Sequence, residues 1–578
     1  MKWSTACPDW EKRIVAGESL VPIAPLFPDQ AADALGVFCA LQVTDMPMKA
    51  DGTYPTLGEI VDQDVLDLVA AIFGAYDSRT GRRLIREFML LISKKNGKST
   101  IAAGIMLTAL IVNWRHTAEL LIIAPTLEVA KNSFDPAKGM VDADPELQTL
   151  LHVVEHQRLI RHRVTKAELK IIAADSDTSA GKKAGMVLIE ELWLFGKKPK
   201  SAAMLREAIG GLSAREEGFV LYISTHSDEP PAGVFKAKLQ YFRDVRDGEI
   251  DDPTSLGVLY EWPAEMLEDQ SYLDPANFHV TNPHLGRSVT KSWLEGELIK
   301  EQRGDGEGLQ IFLAKHLNVE IGLRLRRDRW RGADVWDKSV ESELLDLEAF
   351  LGRSEVVVAG FDGGGDDDLS GLCLLGRDRA SGEWIGWFRA WVHYTALDLR
   401  KEIAPALKDF AADGDLVIWG EPGSDSDGSG DFDIEQIADL IAEVWGRGLM
   451  PEEGALGVDA AGLGTLLDAL KERDIPVENA VWSVSQGFRL TGLIYAVQRK
   501  LWSGQLTHGG SKMMAWCVSN AKAEQKGNSV VITKQAAGKA KIDPVIALFN
   551  AAKMMERSPE AGGSGLSDDD WIAGMRAA

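Results

Sequence analysis

The chain has 578 residues, 45% of them hydrophobic and 26% charged, which is too long for one hydrophobic core and unlike a disordered or fibrous composition. A formal net charge of −24 excludes a protein that coats nucleic acid over its whole surface, because nonspecific affinity comes from cations replacing counterions. Cys7, Cys39, Cys373 and Cys517 lie far apart with no CxxC pair, which argues against a disulfide framework or zinc knuckle and for a reducing compartment.

The N-terminal MKWSTACPDWEKR has no apolar signal core, and the longest apolar stretch, near Ile101 to Val112, is too short to span a bilayer, so neither secretion nor membrane insertion is expected. Residues 1–60 read as a lead-in. From about 88 to 225, short β-rich runs (FMLLIS, LLIIAP, MVLIEE, FVLYIS) alternate with longer helical stretches, the pattern of a parallel α/β sheet with helices on both faces.

Within that domain, Phe88 to Ser93 is a strand candidate, KKNGKST follows, and IAAGIMLTALIV continues as a helix, the context a phosphate-binding loop requires. Backbone N–H groups over Lys95, Asn96, Gly97 and Thr100, together with the helix N-terminus, would receive phosphate oxygens. Lys98 would reach the β- and γ-phosphates of ATP, and the Ser99 hydroxyl would bind Mg²⁺. The first glycine of GxxxxGK[ST] falls at Ile92, so a chance Gly-Lys-Ser before a helix stays open.

The run Met186 to Ile189 ends in Glu190 and Glu191. Adjacent acids at a strand end are commonly just solvated, but a nucleotide hydrolase needs one carboxylate for the Mg²⁺ shell and one to polarise water. FVLYISTHSDEP ends a further strand in Ser224 and Thr225, where a γ-phosphate sensor or coupling element would sit.

Arginines 324, 326, 327, 329 and 331 make a basic run within residues 323–350, equally a solvated linker and a nucleic-acid contact. A second series then begins: EVVVAGFD, GLCLLGRD and EWIGWFRAWV predict an antiparallel meander, and DLVIW and ALGVDA alternate with helices. That order resembles an RNase H-like mixed sheet. Residues 423–433 (GSDSDGSGDFD) and the tail from Ser558 read as loop.

Two-metal phosphodiester cleavage needs carboxylates converging from separate strands. Asp362 ends VVVAGF, Asp459 ends ALGV, and Asp543 opens PVIALFNAAKMM. Each has a structural alternative: Asp362 in an acidic glycine-rich turn, Asp459 capping a helix from Ala460, and Asp543 as an N-cap with Pro544 at N1.

Taken in order, KKNGKS, IEELW, ISTHS, TNPHLGRSV and FLAKHLNVE resemble the large terminase subunits of tailed bacteriophages, and the likeness runs from about Gln63 to Met555. The resemblance implies a P-loop ATPase over 61–322 that pumps double-stranded DNA into a procapsid, and an RNase H-like nuclease over 351–557 that cuts concatemeric DNA. It further implies a homo-oligomeric ring on the portal protein, a small-subunit partner and residence in the host cytoplasm, while residues 558–578 read by composition as a flexible tail. Lys98 and Ser99 match the family's Walker A residues, Glu190 and Glu191 its Walker B pair, and Gln63 its adenine-contact glutamine.

Two residues depart from the family pattern. Lys94 stands where arginine commonly acts as a γ-phosphate trigger, and Glu190 replaces the Walker B aspartate. Asp362, Asp459 and Asp543 match the nuclease motifs that hold Mg²⁺ or Mn²⁺. Asp368 matches a fourth acid for which Asp366 or Asp367 could substitute. Lys541 and His508 would either offset phosphate charge or stand on the surface. Rival readings are a DNA translocase or helicase whose second domain is not catalytic, and a prophage relic serving only as a portal-binding structural protein.

Overall fold

A computed structural model describes residues 3–174, 184–198, 201–304, 307–321, 330–363, 368–401, 403–424, 426, 430–459, 464–526, 529–534 and 541–562. The chain divides into two compact units, Met1–Ile321 and Gly322–Ala578. No described helix is long and apolar enough to cross a membrane. Arg324, Arg326, Arg327 and Arg329, together with Asp366 and Asp367, lie outside the described residues.

In the first unit, helices α1 (Trp10–Ala16), α2 (Pro28–Ala40) and α3 (Gln63–Phe73) precede β1 (Glu87–Leu91) and α4 (Lys98–Ile111). Then come β2 (Glu119–Ala124), α5 (Leu127–Asp142), β3 (Leu151–Val154), β4 (Leu159–His162), β5 (Glu168–Ala173), β6 (Ala184–Glu190), β7 (Phe219–Ser224), α6 (Gly233–Asp247), β8 (Ser255–Leu259) and α7 (Glu307–His316). The eight strands form one sheet in the order β8-β1-β7-β6-β2-β5-β4-β3, parallel except for the last two pairings. Every residue of β6 is buried, as a strand covered on both faces requires. Registers Leu91↔Ser224 and Ile223↔Glu190 bring the ends of β1, β7 and β6 to one sheet edge.

In the second unit, β9 (Ser354–Asp362), β10 (Ser370–Asp378) and β11 (Trp384–His393) form the predicted antiparallel meander. They are followed by β12 (Leu416–Trp419), α8 (Phe432–Gly446), β13 (Leu456–Val458), β14 (Val481–Ser483), α9 (Thr491–Trp502), β15 (Leu506–His508), a hairpin β16 (Ala521–Lys526) and β17 (Ser529–Lys534), and α10 (Asp543–Met555). The sheet order is β12-β11-β10-β9-β13-β14, with β13 parallel to β9, as an RNase H-like sheet demands.

Three glycines seat α10 on this sheet. A Cβ at Gly360 would lie 2.0 Å from the Ala547 carbonyl oxygen, one at Gly371 2.7 Å from the Pro544 nitrogen, and one at Gly457 2.5 Å from the Asn550 carbonyl oxygen. Only hydrogen at these positions lets the helix backbone approach so closely.

The expected loop at 423–433 ends earlier than the sequence implied: Phe432 and Asp433 already belong to α8, and buried Asp433 accepts a 2.7 Å hydrogen bond from Ser370. His508 is neither a surface residue nor placed for phosphate. It is buried, stacks on Trp336 at 4.0 Å between ring centroids, and contacts the Trp336 carbonyl at 3.0 Å. Burial pushes its pKa down to about 4, so it is a neutral core residue at pH 7.

Candidate active sites

The first site lies where β1 turns into α4. The Ile92 N–H donates to the Ser224 carbonyl at 3.0 Å, which continues the β1–β7 pairing, and the left-handed turn falls instead on Lys95 (φ 70) and Gly97 (φ 73). No glycine is needed at 92, so the departure from the motif is accommodated. At the far side of the turn, Ser99 Oγ donates to Glu190 Oε1 at 2.7 Å, and Lys98 Nζ pairs with Glu191 Oε1 at 2.5 Å.

Glu190 and Glu191 differ sharply in environment. Burial pushes Glu190 up to about 7, and its Oε2 finds no hydrogen-bond partner among the described residues. A buried carboxylate oxygen without a partner beside a serine hydroxyl is the donor set a Mg²⁺ shell needs, so the residues fit that ion. Glu191 is also buried, which opposes ionisation, but Lys98 outweighs this and holds it below the usual carboxylate range. Its left-handed backbone (φ 53) turns its side chain toward Lys98, and Trp193 Nε1 donates to Oε2 at 2.6 Å.

The loop is braced from far along the chain. Asn96 donates to Asn282 Oδ1 at 2.8 Å, its carbonyl contacts His284 Nδ1 at 2.8 Å, and His284 Nε2 meets Asp64 Oδ2 at 3.3 Å. Burial alone would lower the His284 pKa, but Asp64 prevails and raises it. The same Asp64 oxygen accepts from Tyr260 at 2.6 Å, tying the start of α3 to the loop. Gln63, the first residue of α3, stands next to this brace and donates to Asp67 at 2.8 Å.

A second brace comes from α7. The Lys94 N–H donates to the Lys315 carbonyl at 2.7 Å, while Lys315 Nζ lies 2.9 Å from the centroid of the Trp193 ring and donates to the His226 carbonyl at 2.8 Å. Burial pushes Lys315 down to about 7. Ser224 Oγ accepts from the Trp193 N–H at 3.1 Å, so it anchors the turn after Glu191, and the Thr225 hydroxyl donates to the His226 carbonyl at 3.1 Å. Asp64, Trp193, Asn282, His284 and Lys315 were not singled out individually in the sequence. Their signal was membership in IEELW, TNPHLGRSV and FLAKHLNVE for all but Asp64, for which there was none.

His226, Glu261 and Glu320 offer ligand atoms within 4.8 Å of one another. Their carboxylates are already taken by guanidinium groups, with Arg243 Nε 3.1 Å and Arg246 2.8 Å from Glu261, and Arg243 also on Glu320. This is an ion-pair cluster fastening the end of β8 to α6.

The second site collects acids from three elements. Asp362 closes β9 opposite Gly371, Gly371 lies against the backbone at Asp543 and Pro544, and Phe361 pairs with Val458, which places Asp459 on the neighbouring strand end. Burial, then the charges of Asp543 and Asp459, push Asp362 up to about 8. Burial and the nearby Asp368 charge push Asp543 to about 6, and its Oδ2 has no hydrogen-bond partner among the described residues. Crowded, desolvated carboxylates of this kind suit divalent cations.

Asp543 is the first helical residue of α10 and makes no side-chain cap, contrary to the N-cap alternative. Residues 460–463, where Asp459 could have capped a helix, lie outside the described residues.

Two ammonium groups complete the cluster. Lys534 Nζ is 2.5 Å from Asp368 Oδ2 and 3.4 Å from Asp543 Oδ1, and Lys541 Nζ is 2.7 Å from Asp368 Oδ1. Burial opposes ionisation of Asp368, but these lysines prevail and lower its pKa. Lys541 is buried at 3% exposure, so it is a fixed internal cation rather than a surface residue. Lys534, on β17, carried no signal in the sequence.

A strand–loop–helix phosphate cradle beside paired glutamates, and a separate mixed sheet with converging aspartates, define an ATPase joined to a metal-dependent nuclease. The chain matches the terminase large subunit ATPase domain over residues 67–243 and the terminase large subunit endonuclease domain over residues 258–558. It belongs to the large terminase subunit family and is an ATPase and endonuclease, which sets aside a non-catalytic second domain. It is 22% identical over 482 residues to the large terminase subunit of Enterobacteria phage HK97, covering 82% of this chain and 84% of that protein. Against the Lactococcus phage p2 large subunit the identity is 22% over 492 residues, covering 82% of each. The crystal structure of the HK97 large terminase superposes with a TM-score of 0.44 at 18% identity, covering 90% of this chain and 99% of that one.

Proposed function

We propose that the first unit holds ATP on the amides of residues 95–100, with Lys98 on the β- and γ-phosphates and Ser99 and Glu190 on Mg²⁺. In this reading Gln63 contacts the adenine, Lys94 supplies the positive charge that arginine provides elsewhere in the family, and Glu191 polarises the attacking water. The Lys98–Glu191 ion pair supports this assignment, because a phosphate that draws Lys98 away removes the charge that holds Glu191 below the usual carboxylate range and makes it a stronger base, while Trp193 keeps it oriented.

In the second unit, Asp362, Asp459 and Asp543 hold two Mg²⁺ or Mn²⁺ ions, with Asp368 as a further ligand or as the partner of Lys534 and Lys541. When bound, such ions activate water and stabilise the leaving oxygen of a DNA phosphodiester. The chain's part is to fix the carboxylates and to keep Lys541 beside Asp368. The turnover of the first unit moves double-stranded DNA into a procapsid, and the second makes the cuts. Its partners are the portal protein, a small terminase subunit and further copies of the chain in a ring, working in the host cytoplasm.

The observation that carries the reading is the convergence of acids from β9, β13 and α10 around Asp362. Purified protein should nick and linearise plasmid with Mn²⁺. Asp362→Ala and Asp459→Ala should abolish cutting while leaving ATP turnover, and Lys98→Ala should do the reverse. Cleavage unchanged in both aspartate variants defeats the nuclease assignment.

A further inference from the structure

Besides the arginine run 324–331, the second unit holds a longer basic stretch. Between Asn479 and Ile542 there are nine lysines and arginines and a single acid, Glu524. At the frequency of Asp and Glu in the whole chain, about ten acids would be expected in that length. In a chain of net charge −24, this is the longest departure toward positive charge, and it ends at Asp543 of the nuclease cluster.

The same stretch carries an uncovered aromatic stripe. Phe488, Tyr495 and Trp502 stand seven residues apart, which puts them on one face of α9 and its lead-in, and they are 63%, 42% and 57% exposed. Arg489 and Arg499 are exposed beside them. The opposite face, Leu493, Ile494, Val497 and Leu501, is buried, so the aromatic side is not spare core. A row of large apolar side chains along one helix face, rather than one exposed singly, marks an interaction site.

The stripe begins at the nuclease site. Gln486 donates to Asn550 Oδ1 at 2.9 Å, and Asn550 donates to the carbonyl of Phe361, the residue before Asp362, at 2.9 Å. Thr491 exchanges hydrogen bonds with Val530 of the hairpin that carries Lys534. From Phe488 to Trp502 the helical rise amounts to ~21 Å, the length of about six base pairs.

We propose that this face of α9 is the track on which duplex DNA lies as it enters the nuclease site, a surface that rests on the nuclease reading above. Arg489 and Arg499 take phosphates. Phe488, nearest the aspartates, packs on an opened base step, and Tyr495 and Trp502 cover sugar edges farther along. A phosphodiester must be bent toward recessed carboxylates to be cut, and apolar wedges are how proteins hold a deformed duplex.

The test is fluorescence anisotropy of the full chain with a labelled 30-base-pair duplex in EDTA, where no cleavage occurs, from 50 to 200 mM salt. Arg489→Ala/Arg499→Ala should weaken binding roughly tenfold and lower the slope of log affinity against log salt by about 2. Phe488→Ala/Tyr495→Ala/Trp502→Ala should weaken binding to a similar extent with the slope unchanged, since no counterions are released by apolar contacts. All five side chains are exposed, and the long 3.3 Å hydrogen bond from Trp502 to the Arg331 carbonyl is at the surface, so melting temperature should fall by no more than a few degrees and ATP turnover without DNA should stay as in the parent protein. If either variant binds duplex like the parent while the parent still cuts plasmid, this track is wrong and the nuclease reading stands. If the parent neither binds nor cuts, that reading itself fails. Variants that alter sedimentation but not DNA binding would assign the face to a second copy of the chain and overturn the proposal.

Discussion

Replacing Gly360 by alanine puts a methyl carbon 2.0 Å from the Ala547 carbonyl oxygen and 2.3 Å from the Ala551 nitrogen, both backbone atoms of α10. Neither can rotate away. An ordinary contact of about 3.5 Å is regained only if the helix withdraws by roughly 1.5 Å. Overpacking of this kind costs about 1–3 kcal/mol where side chains can adapt, and a rigid helix backbone places this case at about 3 kcal/mol or above. For a unit of this size the cost corresponds to a drop of ~6–12 °C in the melting temperature of the nuclease transition. Because Asp543 opens the displaced helix, cutting should fall at least about a hundredfold. Calorimetry with plasmid cleavage would measure both, with ATP turnover as the internal control. A Gly360→Ala protein that melts within a degree of the parent and cuts normally would refute the close seating of α10.

Four shorter predictions follow from the two sites. Asp362 has a folded pKa of about 8. Its unfolded value is ~3.9, so between these limits the unfolded chain releases its proton first and stability falls as pH rises. In EDTA the nuclease transition should therefore weaken from pH 5 to pH 8, Asp362→Asn should flatten that trend, and a parent profile as flat as the variant's would contradict the crowding. Glu191→Gln should reduce ATP turnover at least about a hundredfold while nucleotide binding, followed by calorimetry, persists. Asn282→Ala, which strips the brace from Asn96, should raise the KM for ATP by about tenfold with a smaller change in kcat, a buried hydrogen bond being worth about 1–3 kcal/mol when broken. Lys534→Ala should tighten Mn²⁺ binding by about tenfold in a calorimetric titration, because the ammonium no longer competes for Asp368 and Asp543.

Much of this was legible along the chain because strand ends advertise themselves. A run such as VVVAGF or MVLI that stops at an acid marks both the buried strand and the place where its edge meets solvent, and in both units those acids are gathered together. The neighbours that tune them were not legible. Lys534 and Asp368 are 166 positions apart and meet only because a hairpin folds back, which no local pattern encodes. His508 left a phosphate role and a surface role equally open, yet its burial under Trp336 was set by the pairing of β15 with β11. Asn282 and His284 were visible only as part of a family motif whose physical purpose, shaping a loop almost two hundred residues upstream, required the fold.

That long reach has a consequence for synthesis. His284 is 188 positions beyond Asn96, so a ribosome that has delivered the phosphate loop must continue for roughly ten to forty seconds, at ~5–20 residues per second, before the loop can be propped. Asp543 comes later still, 259 positions beyond His284. Chains cut short before His284 would lack the prop of the phosphate loop and those cut short before Asp543 an acid of the nuclease cluster, so the cutting chemistry is completed only after the nucleotide site.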